Sequence, residues 1–151
     1  MRIDKQDLYH GAALMQIVEH SQAIIMKMKH KSSEYQVSVA TAPRGEENRY
    51  IYIKHVARNA EPFRFVFSKQ ERDFLEIELT RNAPVFVVLV CGSSYICALS
   101  KKQYRDLAAA RGPLTLLVEA PPGGSMRVRR FGSDKKPLLV AHNTFPKKVV
   151  S

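Results

Sequence analysis

No stretch of this sequence stays apolar for longer than Val85 to Cys91, far short of the roughly 20 residues that carry a helix across a bilayer. A membrane-spanning helix is excluded, and no membrane partner is expected. Cysteine is scarce. Cys91 and Cys97 are the only two, and each lies inside an apolar run, where a thiol behaves as a small hydrophobe. A bridge across a short hairpin is geometrically conceivable, but two buried thiols are the expectation for a reducing compartment. Neither cysteine has another cysteine or a histidine at ligand spacing, so no metal site is expected. The opening residues Met1 to Asp7 mix charges and lead into no apolar signal core, which makes the cytoplasm the expected location.

Catalytic signatures are missing as well. Neither Gly-x-x-x-x-Gly-Lys nor Gly-x-Gly-x-x-Gly occurs, which excludes a phosphate loop of either kind. The sequence also lacks His-Glu-x-x-His and Gly-x-Ser-x-Gly, the marks of one zinc-hydrolase class and of a nucleophile elbow. His10, His20, His30, His55 and His142 are scattered and read as structural or solvated residues. These gaps point away from an enzyme, and no cofactor is expected.

Negative charge is the last shortage: 14 Asp and Glu face 24 Lys and Arg, for a net charge of +10. Such an excess attracts polyanions. It is also uneven. Residues 120–151 hold seven basic side chains (Arg127, Arg129, Arg130, Lys135, Lys136, Lys147 and Lys148) against Asp134 alone. Clustering of this kind favours a binding face over charge spread for solubility.

What is present suits one ordinary domain over residues 1–151, with 45% hydrophobic and 25% charged residues. Asp7 to His20 places Leu8, Ala12, Met15 and Val18 at helical steps, which predicts a first helix with those four inward. From Gln22 the period changes, and Ile24, Met26 and Met28 alternate as in a strand. A polar turn over 29–33 leads to a second strand, Tyr35 to Ala40. Pro43 to Asn48 reads as a loop, and Tyr50 to Val56 as a strand rich in β-branched and aromatic residues. After a second loop, Arg58 to Pro62, the residues Phe63, Phe65 and Phe67 share one sheet face.

Ser68 with Glu71 forms a capping box that opens a helix through about Arg81, with Phe74, Leu75, Ile77 and Leu79 inward. Val85 to Cys91 is apolar on both faces and reads as the sheet's centre. Gly92, Ser93 and Ser94 turn the chain into an antiparallel partner, Tyr95 to Leu99. A second capping box, Ser100 with Gln103, starts a helix to Ala110 that Gly112 and Pro113 stop. Short strands follow at Leu114 to Glu119, Met126 to Phe131 and Pro137 to Ala141. The expected class is α+β, a mixed, mostly antiparallel sheet with about three helices packed on it. From about residue 114 it continues as a basic, strand-rich extension.

Two resemblances bear on function. Tyr52 and Lys54 point the same way on one strand, and an acid followed two residues later by lysine is a metal-dependent nuclease pattern. The order helix, strands, lysine-bearing strand, helix, central apolar strand over about residues 7–110 resembles the restriction-endonuclease-like superfamily. Its mark is an Asp followed by Glu-x-Lys on the next strand. The resemblance puts Lys54 at the lysine position, but Tyr52 stands where the acid belongs, leaving Glu47, Glu34 or Glu19 as irregular substitutes. Magnesium would enter only with that activity. A second set, Tyr9-His10-Gly11, Tyr52-Ile53-Lys54-His55, Phe65-Val66-Phe67, Val88-Leu89-Val90-Cys91-Gly92 and Phe145-Pro146-Lys147-Lys148, resembles a family of small bacterial proteins with no assigned function.

Taken together, the residues point first to a nucleic-acid-binding domain. The seven basic side chains of residues 120–151 would contact phosphates, and Lys54 and Arg49 would extend that surface. The alternatives are an interaction module holding an acidic protein partner, and a nuclease with an irregular acidic set around Lys54.

Overall fold

The computed structural model describes residues 4–21, 24–27, 33–41 and 45–150. The class is the expected α+β, with the strands divided between two sheets. In chain order the elements are α1 (Lys5–Ser21), β1 (Ile24–Lys27), β2 (Glu34–Thr41), β3 (Gly45–Val56) and β4 (Phe63–Phe67). Next come α2 (Lys69–Glu78), β5 (Val85–Cys91), β6 (Tyr95–Ser100), α3 (Lys101–Leu107) and β7 (Leu114–Glu119). The chain closes with β8 (Met126–Arg130), β9 (Leu138–Val140) and α4 (Lys147–Val150). The predicted residues Met28 and 29–32 and the start of the Pro43 loop lie outside the described residues.

The first sheet has strand order β1-β2-β3-β5-β6, and the second β4-β7-β8-β9. All neighbours are antiparallel except β3 and β5. A parallel pair needs a crossover between its strands. Here the crossover contains β4 and α2, so the connection that completes the first sheet also starts the second. The central strand of the first sheet is consequently β3, while β5 lies one place out, buried along its whole length between β3 and β6. Residues 45–48, read above as loop, extend β3 because they pair with the end of β2: Val39 lies opposite Glu47 and Ser38 opposite Asn48. The Ser38 hydroxyl donates to Asn48 Oδ1 at 2.7 Å across that pair.

Alternation along β3 and β5 divides the interior in two. On one face of the first sheet Ile51, Ile53, Val88 and Val90 pack with Ala13 and Ile17 of α1 and Val149 and Val150 of α4. On its other face Tyr52, Val87, Leu89, Cys91 and Cys97 meet Phe63, Phe65, Phe67, Leu116, Met126 and Val128 of the second sheet, with Leu75 and Tyr104 from α2 and α3. The basic C-terminal strands therefore share a core with the rest of the chain. Cys91 and Cys97 are buried free thiols, and burial in this core pushes both thiols above their usual range.

Both capping boxes are present, with Ser68 and Ser100 each accepting from the backbone N–H three residues on. α2 and α3 end about three residues sooner than expected, and the buried faces of α1 and α2 differ from expectation. In α1 the buried residues are His10, Ala13 and Ile17, while Leu8 (61% exposed), Met15 and Val18 face outward. Two apolar stripes run along nearly opposite sides of this helix, and periodicity alone does not choose between them. The choice follows the small Ala13, which lets the helix approach the sheet, and the contact of His10 Nδ1 with the Tyr35 hydroxyl at 3.0 Å. On α2 and its C-cap the inward pair is Leu75 and Leu79, one turn apart; Ile77 between them is 68% exposed. The β5–β6 turn requires Gly92, whose φ is +54° and where a Cβ would lie 2.1 Å from Asn59 Oδ1. That oxygen accepts from the Ser93 N–H at 2.7 Å.

Candidate nucleic-acid interface

Alternation on β8 sends Met126 and Val128 into the core and Arg127 and Arg129 to the opposite face of the second sheet. The register carries that face across the strands. Arg64, Leu117 and Arg129 lie side by side, as do Glu119, Arg127 and Leu139. Val66 is opposite Thr115, whose carbonyl accepts from the Phe131 N–H at 2.8 Å. The Arg64 guanidinium lies 4.9 Å from the Phe131 ring centroid, a cation–π distance.

At the end of β8 this face runs into a cavity of about 530 Å³ whose lining includes Arg111, Arg129, Arg130, Lys135 and Lys136. Phe131 forms part of its rim, and Asp106 is the one carboxylate in the lining. Asp106 is itself paired with Lys102 at 3.0 Å. A larger cavity of about 1060 Å³ opens between α2 and the residues after α3, but its lining mixes Lys69, Arg72 and Arg105 with Asp73 and Glu76. Arg111 lines both cavities, and of the two the smaller has the more one-sided charge.

Arg130 shapes that cavity from within. Its guanidinium donates to the carbonyls of Ala110 at 2.7 Å and Pro113 at 2.9 Å, and more weakly to Leu107 and Arg111 at 3.4 Å. Arg72 shares the task, donating to Ala108 and Ala110 at 3.0 and 3.2 Å. The carbonyls after α3 have no partners within the helix, and a cation suits that end of the helix dipole. Burial, followed by the neighbouring Arg72 charge, lowers the Arg130 pKa from its usual value. Arg130 therefore holds the loop that brings Arg111 beside Lys135 and Lys136.

Other sequence candidates stand elsewhere. Lys148 is half-buried, donating to the Ala98 carbonyl at 2.9 Å and to Gln103 Oε1, the same oxygen that closes the second capping box. Burial lowers its pKa. Lys147 is exposed at the start of α4, whose Val149 and Val150 pack on the far side of the first sheet. Arg49 is buried on β3 and paired with Glu47 at 3.1 Å.

Lys54 meets a carboxylate that sequence reading did not single out for chemistry. Glu71 Oε2 accepts from Lys54 Nζ at 2.7 Å and from the Tyr52 hydroxyl at 2.9 Å, while Oε1 accepts from the Ser68 N–H of the capping box. Burial alone would raise the Glu71 pKa, but these three donors outweigh it and hold the carboxyl below its usual value. Tyr52 is shifted the other way by burial and by Glu71. Glu47 lies seven residues from Lys54 on the opposite face of β3, about 23 Å along an extended strand. Glu19 is exposed on α1, beyond the other face of the sheet. Among the described residues, no three His, Cys, Asp or Glu side chains are grouped to hold a metal ion, and no helix is long and apolar enough to cross a membrane.

The capping-box spacing alone brought Glu71 to notice, as a helix start; its approach to Lys54 depends on how α2 docks. Arg111 and Arg64 lay outside the densest basic stretch and carried no sequence signal. The chain matches no family model, and no curated protein or solved structure is detectably similar to it.

Proposed function

We propose that this protein is a cytoplasmic nucleic-acid-binding domain that contacts phosphates through the cavity at the end of the second sheet. The observation that carries this reading is the convergence of Arg111, Arg129, Lys135 and Lys136, beside the loop-holding Arg130, on one cavity with a single, already paired carboxylate in its lining. Four of these five come from the C-terminal cluster. Arginine forks and lysine ammonium groups at such density match a chain of phosphates, and binding by them releases counterions.

The test is fluorescence anisotropy with labelled DNA and RNA over a series of salt concentrations. If four or five phosphates are neutralised, log affinity falls linearly with log salt, with a slope of about −3 to −5. Lys135→Glu with Lys136→Glu, both exposed, weakens binding and flattens the slope by about 2. Absence of binding at low salt, or an affinity that ignores salt, would overturn the reading.

A further inference from the structure

We infer that the outward face of the second sheet binds single-stranded nucleic acid, with Phe131 as the base-stacking platform and Arg64, Arg127 and Arg129 along the phosphate path. This rests on the nucleic-acid reading above and names the form of the ligand. The inner face of the same sheet is filled by core residues, whereas Arg64, Val66, Arg127, Phe131 and Leu139 are exposed on the outer one. Phe131 is 57% and Leu139 62% exposed. Between them Leu117 is only 5% exposed, flanked in the register by Arg64 and Arg129, whose long stems can cover it.

The face thus interleaves cationic heads with apolar surface. A duplex offers such a surface mainly phosphates and groove edges, because its bases are stacked inside. A single strand offers both phosphates and free π-faces, and proteins that hold single strands combine a positive track with aromatic side chains on which bases stack. Arg64 lies over the Phe131 ring and holds it while leaving more than half of the residue open. A guanidinium plane is also a stacking partner for a base. Charge complementarity favours the same ligand: three arginines stand on this face with Glu119, which lies opposite Arg127. Phe131 belongs both to the face and to the cavity with Lys135 and Lys136, so one strand can run from the phosphate contacts onto the sheet.

Anisotropy titrations with oligothymidylate, oligouridylate and a DNA duplex of equal length separate the outcomes. The single strands are expected to bind more tightly than the duplex. Phe131→Ala, at an exposed position, lowers single-strand affinity about 5- to 150-fold and leaves duplex affinity within about twofold, while Phe131→Tyr retains single-strand binding. Tighter binding of one single strand than the other identifies DNA or RNA as the ligand. Salt-dependent binding that favours the duplex, or a Phe131→Ala loss equal for both forms, overturns this inference and leaves the phosphate reading standing. Failure of every probe to bind overturns both.

Discussion

The two sheets share a core but differ in what covers their other faces. The first is enclosed, with α1 and α4 on one side and the second sheet on the other, and β5 is buried throughout. The second is enclosed on one side only, and its free side carries arginines and isolated apolar residues. Charge placement follows this difference. Among the described residues of the enclosed sheet, Lys54 is tied to Glu71 and Arg49 to Glu47. Burial makes an unpaired charge costly, so enclosure leaves little there for a ligand. On the half-open sheet, Arg127 and the nearby Lys135 and Lys136 remain exposed, where hydration makes a cation inexpensive until a polyanion displaces the water.

The strongest break of this comparison is through the shared core. Phe65, fully buried between the sheets, leaves a large void when replaced by alanine, and Phe65→Ala is expected to cost about 3–5 kcal/mol in denaturant unfolding. A cost below about 1 kcal/mol would mean that the sheets are not stacked as described. An intermediate effect falls at the joint between core and cavity. Arg130→Ala is expected to lose about 1–3 kcal/mol because several carbonyls after α3 lose a charged donor, and Arg130→Lys to recover only part of it because an ammonium cannot reproduce the fork. Full recovery by lysine would show that charge alone, not the planar geometry, holds the loop. The smallest effect belongs to the open face: Leu139→Thr is expected to shift stability by less than about 0.5 kcal/mol. A loss like that of Phe65 would show that this face is covered in the folded protein.

The local features were legible and the assembly was not. Ser68 with Glu71 and Ser100 with Gln103 announced two helix starts, and both boxes are formed. Phe63, Phe65 and Phe67 alternate inward on β4 as their spacing implied. By contrast, Leu8, Met15 and Val18 on α1 and Ile77 on α2 turned outward, because an apolar residue states a preference for burial without naming the surface that will provide it. The basic cluster divided for a similar reason. Arg129, Lys135 and Lys136 meet at the cavity, whereas Lys148 is held inside by Ala98 and Gln103.

Hydrophobic period, capping residues and glycine turns act over a few positions along the chain, so the α+β class, most strands and the net positive charge belong to the sequence itself. Whether a given lysine is a structural tie or a ligand contact depends on which carbonyl or carboxylate another segment brings to it. So does the separation of the strands into an enclosed sheet and a half-open one. Those contacts join residues far apart in the chain, and only the folded packing establishes them.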